Sequence, residues 1–212
     1  MISKKENTLL FDMDRCCVDW EGKGSMLYQI WQERFPELDF PYSEKMNSWE
    51  ISENYDDKYK TAICEIYKNP LPGFYRSMPV MKGFLEVLPQ LDELGHIAIV
   101  SNPLMRGLFN QEDEKERKKF NHNYIQVSTE KRLWIEEHIS PILKRMPETI
   151  FVDDKSHAHG NVLFDDKPNV TSNVSMQPSW KHIMYTGENG GFLFSKNVEH
   201  EYKTSWDNPN LF

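Results

Sequence analysis

Three apolar runs in this chain stop abruptly at polar side chains: Thr8-Leu9-Leu10-Phe11-Asp12-Met13-Asp14, Ile97-Ala98-Ile99-Val100-Ser101-Asn102 and Asn161-Val162-Leu163-Phe164-Asp165-Asp166. Short apolar runs of this length predict buried strands. In an open α/β sheet ligands bind outside the carboxyl ends of the strands, so the three endings are expected to converge on one crevice. Between the strands the spacing turns helical. Residues 24–35 place Met26, Leu27, Ile30, Trp31 and Phe35 near one face and close at Pro36; residues 40–78 carry Trp49, Tyr55, Tyr59, Ile63 and Tyr67 before the turn Asn69-Pro70-Leu71-Pro72-Gly73. Residues 80–94 predict a helix on Phe84, Val87, Leu88 and Leu91 stopped by Gly95, residues 128–145 another, and residues 149–152 a further strand. The predicted order is strand, helices, strand, helix, strand, strand, strand.

The mixed run Gln111 to Lys119 reads as a solvated helix or loop. No repeat of about 20 to 50 residues is present. With 212 residues, the chain suffices for one main domain, residues 1–212, with residues 21–78 as a candidate helical cap inserted in it.

Charge narrows the ligand. Lys and Arg number 25 against 33 Asp and Glu, a formal net charge of -8, which disfavours long nucleic acid, whose binding relies on neutralising many phosphates. A small anion held beside a metal remains open. Three cysteines, two of them the adjacent Cys16 and Cys17, make neither a disulfide framework nor a zinc pattern, and both read as small core residues. His157 and His159 lack a third ligand nearby and read as surface residues. No signal-peptide pattern and no run of about 18 apolar residues occurs, so the expectation is a soluble cytoplasmic protein without a membrane partner; a homodimer is left open.

The strand endings carry the chemistry. If the first strand persists, alternation puts Asp12 and Asp14 on one side, where two carboxylates can share a divalent cation and act as nucleophile and general acid. Ser101 offers a hydroxyl and Asn102 a backbone N–H for phosphoryl oxygens. Asp165 and Asp166 are hard oxygen ligands suited to Mg²⁺, and Lys155, ten positions before Asp165, is a compact cation for a phosphate.

These residues resemble the four motifs of the haloacid-dehalogenase-like (HAD) phosphatases: Asp12-Met13-Asp14, Ser101-Asn102-Pro103, Asp154-Lys155 and Asp165-Asp166. With Asp19-Trp20, Pro72-Gly73-Phe74-Tyr75, Lys131 and Trp134, Pro178-Ser179-Trp180-Lys181-His182-Ile183 and Ser205-Trp206-Asp207-Asn208, nearly the whole chain resembles the 5'(3')-deoxyribonucleotidases. The resemblance implies a Rossmann-like α/β core, a parallel sheet flanked by helices with a small helical cap, hydrolysing nucleoside monophosphates. It implies that Asp12 attacks phosphorus and Asp14 serves as acid and then base. Mg²⁺ would lie on Asp12, the Asp14 carbonyl and Asp165, with Asp166 behind or through water. Ser101, Asn102, Lys131 and Lys155 would grip the phosphate, and Trp20, Trp49 and Phe74 would wall the base pocket, although Trp49 by its spacing also reads as a core residue.

The chain departs from that pattern in places. Arg15 stands where these nucleotidases usually have Gly, and its side chain is expected to face outward rather than reach the phosphate. Asp153 stands where Arg is usual, and residues 104–126 are longer than expected before Lys131. Two alternatives stay open: a phosphatase for another small ester, and a nucleotide-binding protein without catalysis.

Overall fold

A computed structural model describes residues 7–170, 177–196 and 198–207 of the protein; Asn208, which closes the Ser-Trp-Asp-Asn segment, lies outside the described residues. The elements in chain order are β1 (Thr8–Asp12), α1 (Met26–Arg34), α2 (Ile51–Asn54), α3 (Asp57–Lys68), α4 (Phe84–Leu94), β2 (His96–Ser101), α5 (Glu114–His138), β3 (Glu148–Phe151), β4 (Val162–Asp165), β5 (Lys181–Tyr185), α6 (Leu193–Lys196) and β6 (Lys203–Thr204).

The strands form one sheet in the order β3-β2-β1-β4-β5-β6, every pair parallel. The two strands with the other polar endings therefore flank β1: Leu9 pairs with Ile97 on one side and Val162 on the other. The chain runs outward from β1 through β2 to β3 and then crosses back to β4 on the other side of β1, a reversal that opens the crevice where a doubly wound fold binds ligand. The fold is α/β with a parallel sheet and helices packed on it, as expected.

Alternation along β1 divides the core. Leu9 and Phe11 face the larger apolar cluster, with Trp31, Phe84, Leu88 and Trp134 from the helices, while Leu10 faces a smaller one with Ala98, Val100, Leu163 and Trp180. Phe11 stacks on Phe164 at 4.7 Å between centroids.

Element boundaries moved for local reasons. Helix α1 starts at Met26 because the Ser25 side chain accepts the Tyr28 N–H. Helix α4 begins only at Phe84, since Gly83 before it holds φ 81, a left-handed conformation. The helix expected at 128–145 is α5, which starts at Glu114 and ends at His138. Asp113 caps it by accepting the Lys115 and Glu116 N–H groups, no Gly or Pro interrupts the span, and Pro141 disfavours helix at its predecessor. The short elements α6 and β6 carry too few residues to show periodicity. Among the described residues no helix is long and apolar enough to cross a membrane.

Candidate active site

Strand β1 ends at Asp12, and the next residues turn back on themselves. Cys17 and Val18 both donate backbone N–H groups to the Met13 carbonyl, at 2.9 and 3.0 Å, and Asp14 bridges Val18. The strand does not persist to Asp14, so the shared side expected from alternation is replaced by a turn that presents both carboxylates to one cavity of about 510 Å³.

Around the carboxylates lie two lysines. Lys155 Nζ is 2.8 Å from Asp12 Oδ1 and 2.5 Å from Asp165 Oδ2. Lys131, 0 % exposed although charged, donates to Asp14 Oδ2 at 2.6 Å and to Ser101 Oγ at 2.8 Å. Burial of such a cation requires partners of this kind. Asn102 lines the cavity and accepts the Leu104 N–H through Oδ1. Ser101 and Lys131 are fully buried behind the cavity and connect to it through Asp14, which lines it.

The two acids that end β4 divide. Asp165 has both oxygens engaged, one by Lys155 and one by the Lys167 N–H at 2.9 Å. Asp166 instead has a carboxylate oxygen within 4.8 Å of one on Asp12, with the Cys16 sulfur equally near. Both acids line the cavity: Asp166 faces Asp12, and Asp165, expected as a metal ligand, is bonded to Lys155. Burial pushes the Asp12 carboxyl well above its usual range, opposed by Lys155 and reinforced by the other acids. Asp166 rises to about 7, first by burial, with Arg15 opposing. Lys155 is driven upward by Asp12 and Asp165, which outweigh its desolvation. Crowded buried acids of this kind, together with an Asp14 Oδ1 that is buried without a hydrogen bond partner, fit a hard divalent cation.

Arg15 is the unexpected member. Among the described residues it is the one non-glycine residue with positive φ, at 62°, in the position where glycine is usual. Its side chain does not face outward: it is 17 % exposed, 2.9 Å from Glu21 and 3.8 Å from Asp166. Glu21 continues the link, accepting the Ser43 N–H at 2.6 Å and bonding its hydroxyl. Neither Arg15 nor Glu21 as partners could be read from sequence, because both contacts depend on the turn after β1.

The aromatic walls are partly as expected. Trp20 lines the cavity with its edge against Tyr67 and Tyr75. Trp49 is half-buried rather than a core residue, lines the cavity, and donates Nε1 to Asp166 Oδ2 at 2.8 Å. Phe74 does not wall the cavity: it is 0 % exposed and packs behind Trp20 at 5.9 Å. Its neighbour Tyr75 takes the wall. The Pro72-Gly73-Phe74-Tyr75 turn is held by Glu130, which accepts the Gly73 and Tyr75 N–H groups at 2.8 and 3.0 Å, and this fixes which of the adjacent rings turns inward.

Three indoles tie down the loops that carry the site. Trp180 Nε1 donates to the Lys155 carbonyl at 3.2 Å, Trp206 Nε1 to the Cys16 carbonyl at 2.6 Å, and Trp134 Nε1 to the Met78 carbonyl at 2.7 Å. Cys16 and Cys17 are buried and unbridged, and Cys17 donates its thiol to the Asp12 carbonyl at 3.0 Å. His157 and His159 are exposed.

Two carboxylates at the end of β1, Asp12 paired with the partly buried Lys155 and Asp14 with the fully buried Lys131, make an arrangement suited to phosphoryl transfer on an α/β fold. A family model described as "5' nucleotidase, deoxy (Pyrimidine), cytosolic type C protein" matches residues 6–190, and the chain belongs to this nucleotidase family of phosphoric monoester hydrolases. Among solved structures, a putative haloacid dehalogenase-like hydrolase from Burkholderia xenovorans LB400 shares 14% identity over 94% of each chain, with TM-score 0.41. The putative HAD-hydrolase YfnB from Bacillus subtilis, described as bound to magnesium, shares 13% over 84% of this chain and 94% of its own, with TM-score 0.36. No curated protein matches the sequence.

Proposed function

We propose that the protein hydrolyses deoxyribonucleoside 5'- or 3'-monophosphates to nucleoside and phosphate. The observation that carries this reading is that Asp12 and Asp14, the first paired with Lys155 and the second with Lys131 buried behind it, line an aromatic cavity large enough for a nucleotide. The 21–78 segment serves as the cap, since Trp49 and Tyr75 lie in it and Trp20 immediately precedes it, and these rings supply faces on which bases stack.

In this reading Asp12 attacks phosphorus, the phosphorus–oxygen bond to the nucleoside breaks, and Asp14 delivers its proton to the leaving oxygen. Water then attacks the aspartyl-phosphate, Asp14 takes its proton, and Asp12 and free phosphate are regenerated. Lys155 and Lys131 hold the carboxylates in place and offset phosphate charge; Ser101 and Asn102 position Lys131 and the loop above it. Mg²⁺, held by Asp12, the Asp14 carbonyl and Asp166, would offset the repulsion between the phosphate and Asp12. Asp165 contributes by orienting Lys155. A cytoplasmic location suits the three unbridged cysteines and the family's description as cytosolic.

A panel of nucleoside monophosphates, a sugar phosphate and para-nitrophenyl phosphate, assayed in Mg²⁺, tests the reading. Deoxyribonucleoside monophosphates should be preferred. Asp12→Asn should fold normally and lose at least about a thousandfold in turnover, the range for a unit of nucleophile and base. Nucleotide binding without turnover in the unaltered protein would instead favour a binding protein.

A further inference from the structure

The stretch between Ser101 and Lys131 that exceeds the expected length is folded into the cavity wall. Leu104, Met105 and Leu108 line it together with Ile63, Cys64 and Tyr67 of α3. Met105 is 50 % exposed, so an apolar, adaptable side chain is presented at the cavity rather than stored in the core.

The loop is held there by its own small core. Leu104, Phe109 and Phe120 are buried together, with Leu108 and Tyr124 packed against them. It is also tied on two sides. Toward the cap, Asn123 Nδ2 donates to the Lys68 carbonyl at 2.9 Å, Lys119 Nζ to Asn69 Oδ1 at 2.8 Å, and Lys68 pairs with Glu116 at 3.3 Å. Toward the sheet, Arg106 lies 3.8 Å from Asp153 and 5.0 Å from the Phe120 ring. The insertion therefore spans the gap between cap and sheet, bringing an arginine to Asp153, where the resemblance expects arginine on the sheet side itself.

We propose that the 104–126 insertion is a specificity element, in which Met105 and Leu108 form an apolar wall against the nucleobase and share base selection with the cap aromatics. The proposal rests on the nucleotidase reading. A wall without hydrogen bond donors or acceptors selects by shape and by the cost of burying a polar base edge, which differs between bases.

Met105→Ser and Leu108→Ser, singly and together in the full chain, test it against nucleoside monophosphates that differ only in base, with deoxyribose 5-phosphate as base-free substrate. Both positions retain solvent exposure, and Ile125→Ser, on an exposed part of α5 away from the cavity, is the control. The expected result is a rise in KM of about tenfold for nucleotides in the double variant with a changed ranking of bases, against a smaller change for the base-free ester and none in the control. The proposal is overturned if KM and ranking stay as in the unaltered protein, or if all substrates lose rate together with a fall in Tm. Absence of nucleotide turnover in the unaltered protein would instead overturn the nucleotidase reading, and with it the wall, before any variant is compared.

Discussion

Arg15 holds a backbone conformation that costs an ordinary residue about 1–2 kcal/mol, at φ 62. Replacing it separates backbone from side chain. Arg15→Ala and Arg15→Gly both lose the contacts to Glu21 and Asp166, but only glycine relieves the turn. The glycine variant should therefore unfold at a higher denaturant concentration than the alanine variant by about 1 kcal/mol, the reverse of the usual order, measured by equilibrium denaturation. Asp166 gives a pH signature at the same scale. Its folded value of about 7 lies above the unfolded carboxylate value, so between these the native state binds the extra proton, and this group's contribution to stability falls as pH rises from about 4 to about 7. Cation binding needs the ionised form. The rise in Tm on adding Mg²⁺ should hence be larger at pH 8 than at pH 6, and Asp166→Asn should remove most of it. Equal shifts at both pH values would detach Asp166 from the cation site. Trp20 was legible as a cavity residue from its place after Asp14, but its burial among Tyr67, Phe74 and Tyr75 was not. Trp20→Ala should consequently lower stability by about 3–5 kcal/mol as well as kcat/KM for nucleotides, whereas Trp20→Phe should keep the fold and isolate the base contact; thermal melts beside assays of both variants decide it.

At the scale of elements, the strands that bear the site were readable because a buried parallel strand is a short apolar run with a polar end, and β1, β2 and β4 fall within a residue or two of the runs seen in sequence. What escaped was length and aim. The polar, charge-rich surface of α5 hid its first turns, since only Phe120 and Asn123 are buried in its early part, too few to set a period. The choice between Phe74 and Tyr75 was equally hidden, because it depends on Glu130 in a distant helix. The Ser205-Trp206 segment, which shows no catalytic group, is explained by packing: Trp206 stacks on Tyr185 at 4.9 Å and its indole bonds the Cys16 carbonyl in the turn after β1. Trp206→Phe keeps the ring contacts and leaves that carbonyl unpaired, a cost of about 1–3 kcal/mol, to be read from chemical denaturation; a variant as stable as the parent would show that the carbonyl finds another donor.

Across the whole molecule, every strand pairing is parallel, and the central strand has no neighbour close to it in the chain. Leu9, Leu10 and Phe11 precede both of their partner strands, which begin at His96 and Val162. During synthesis at about 5–20 residues per second this apolar run leaves the ribosome several seconds or more before β4 exists to cover its second edge. Pairings so distant in sequence also fold slowly, because chain closure precedes any reward in contacts. The second edge of β1 is thus expected to stay open, and prone to aggregation, until β4 is made, and Asp12, Lys155, Asp165 and Asp166 meet only once β4 has docked. A fragment ending before Val162 is therefore expected in the pellet after centrifugation and without phosphatase activity, and slowing elongation should change the soluble yield while leaving the Tm of the recovered protein as it was.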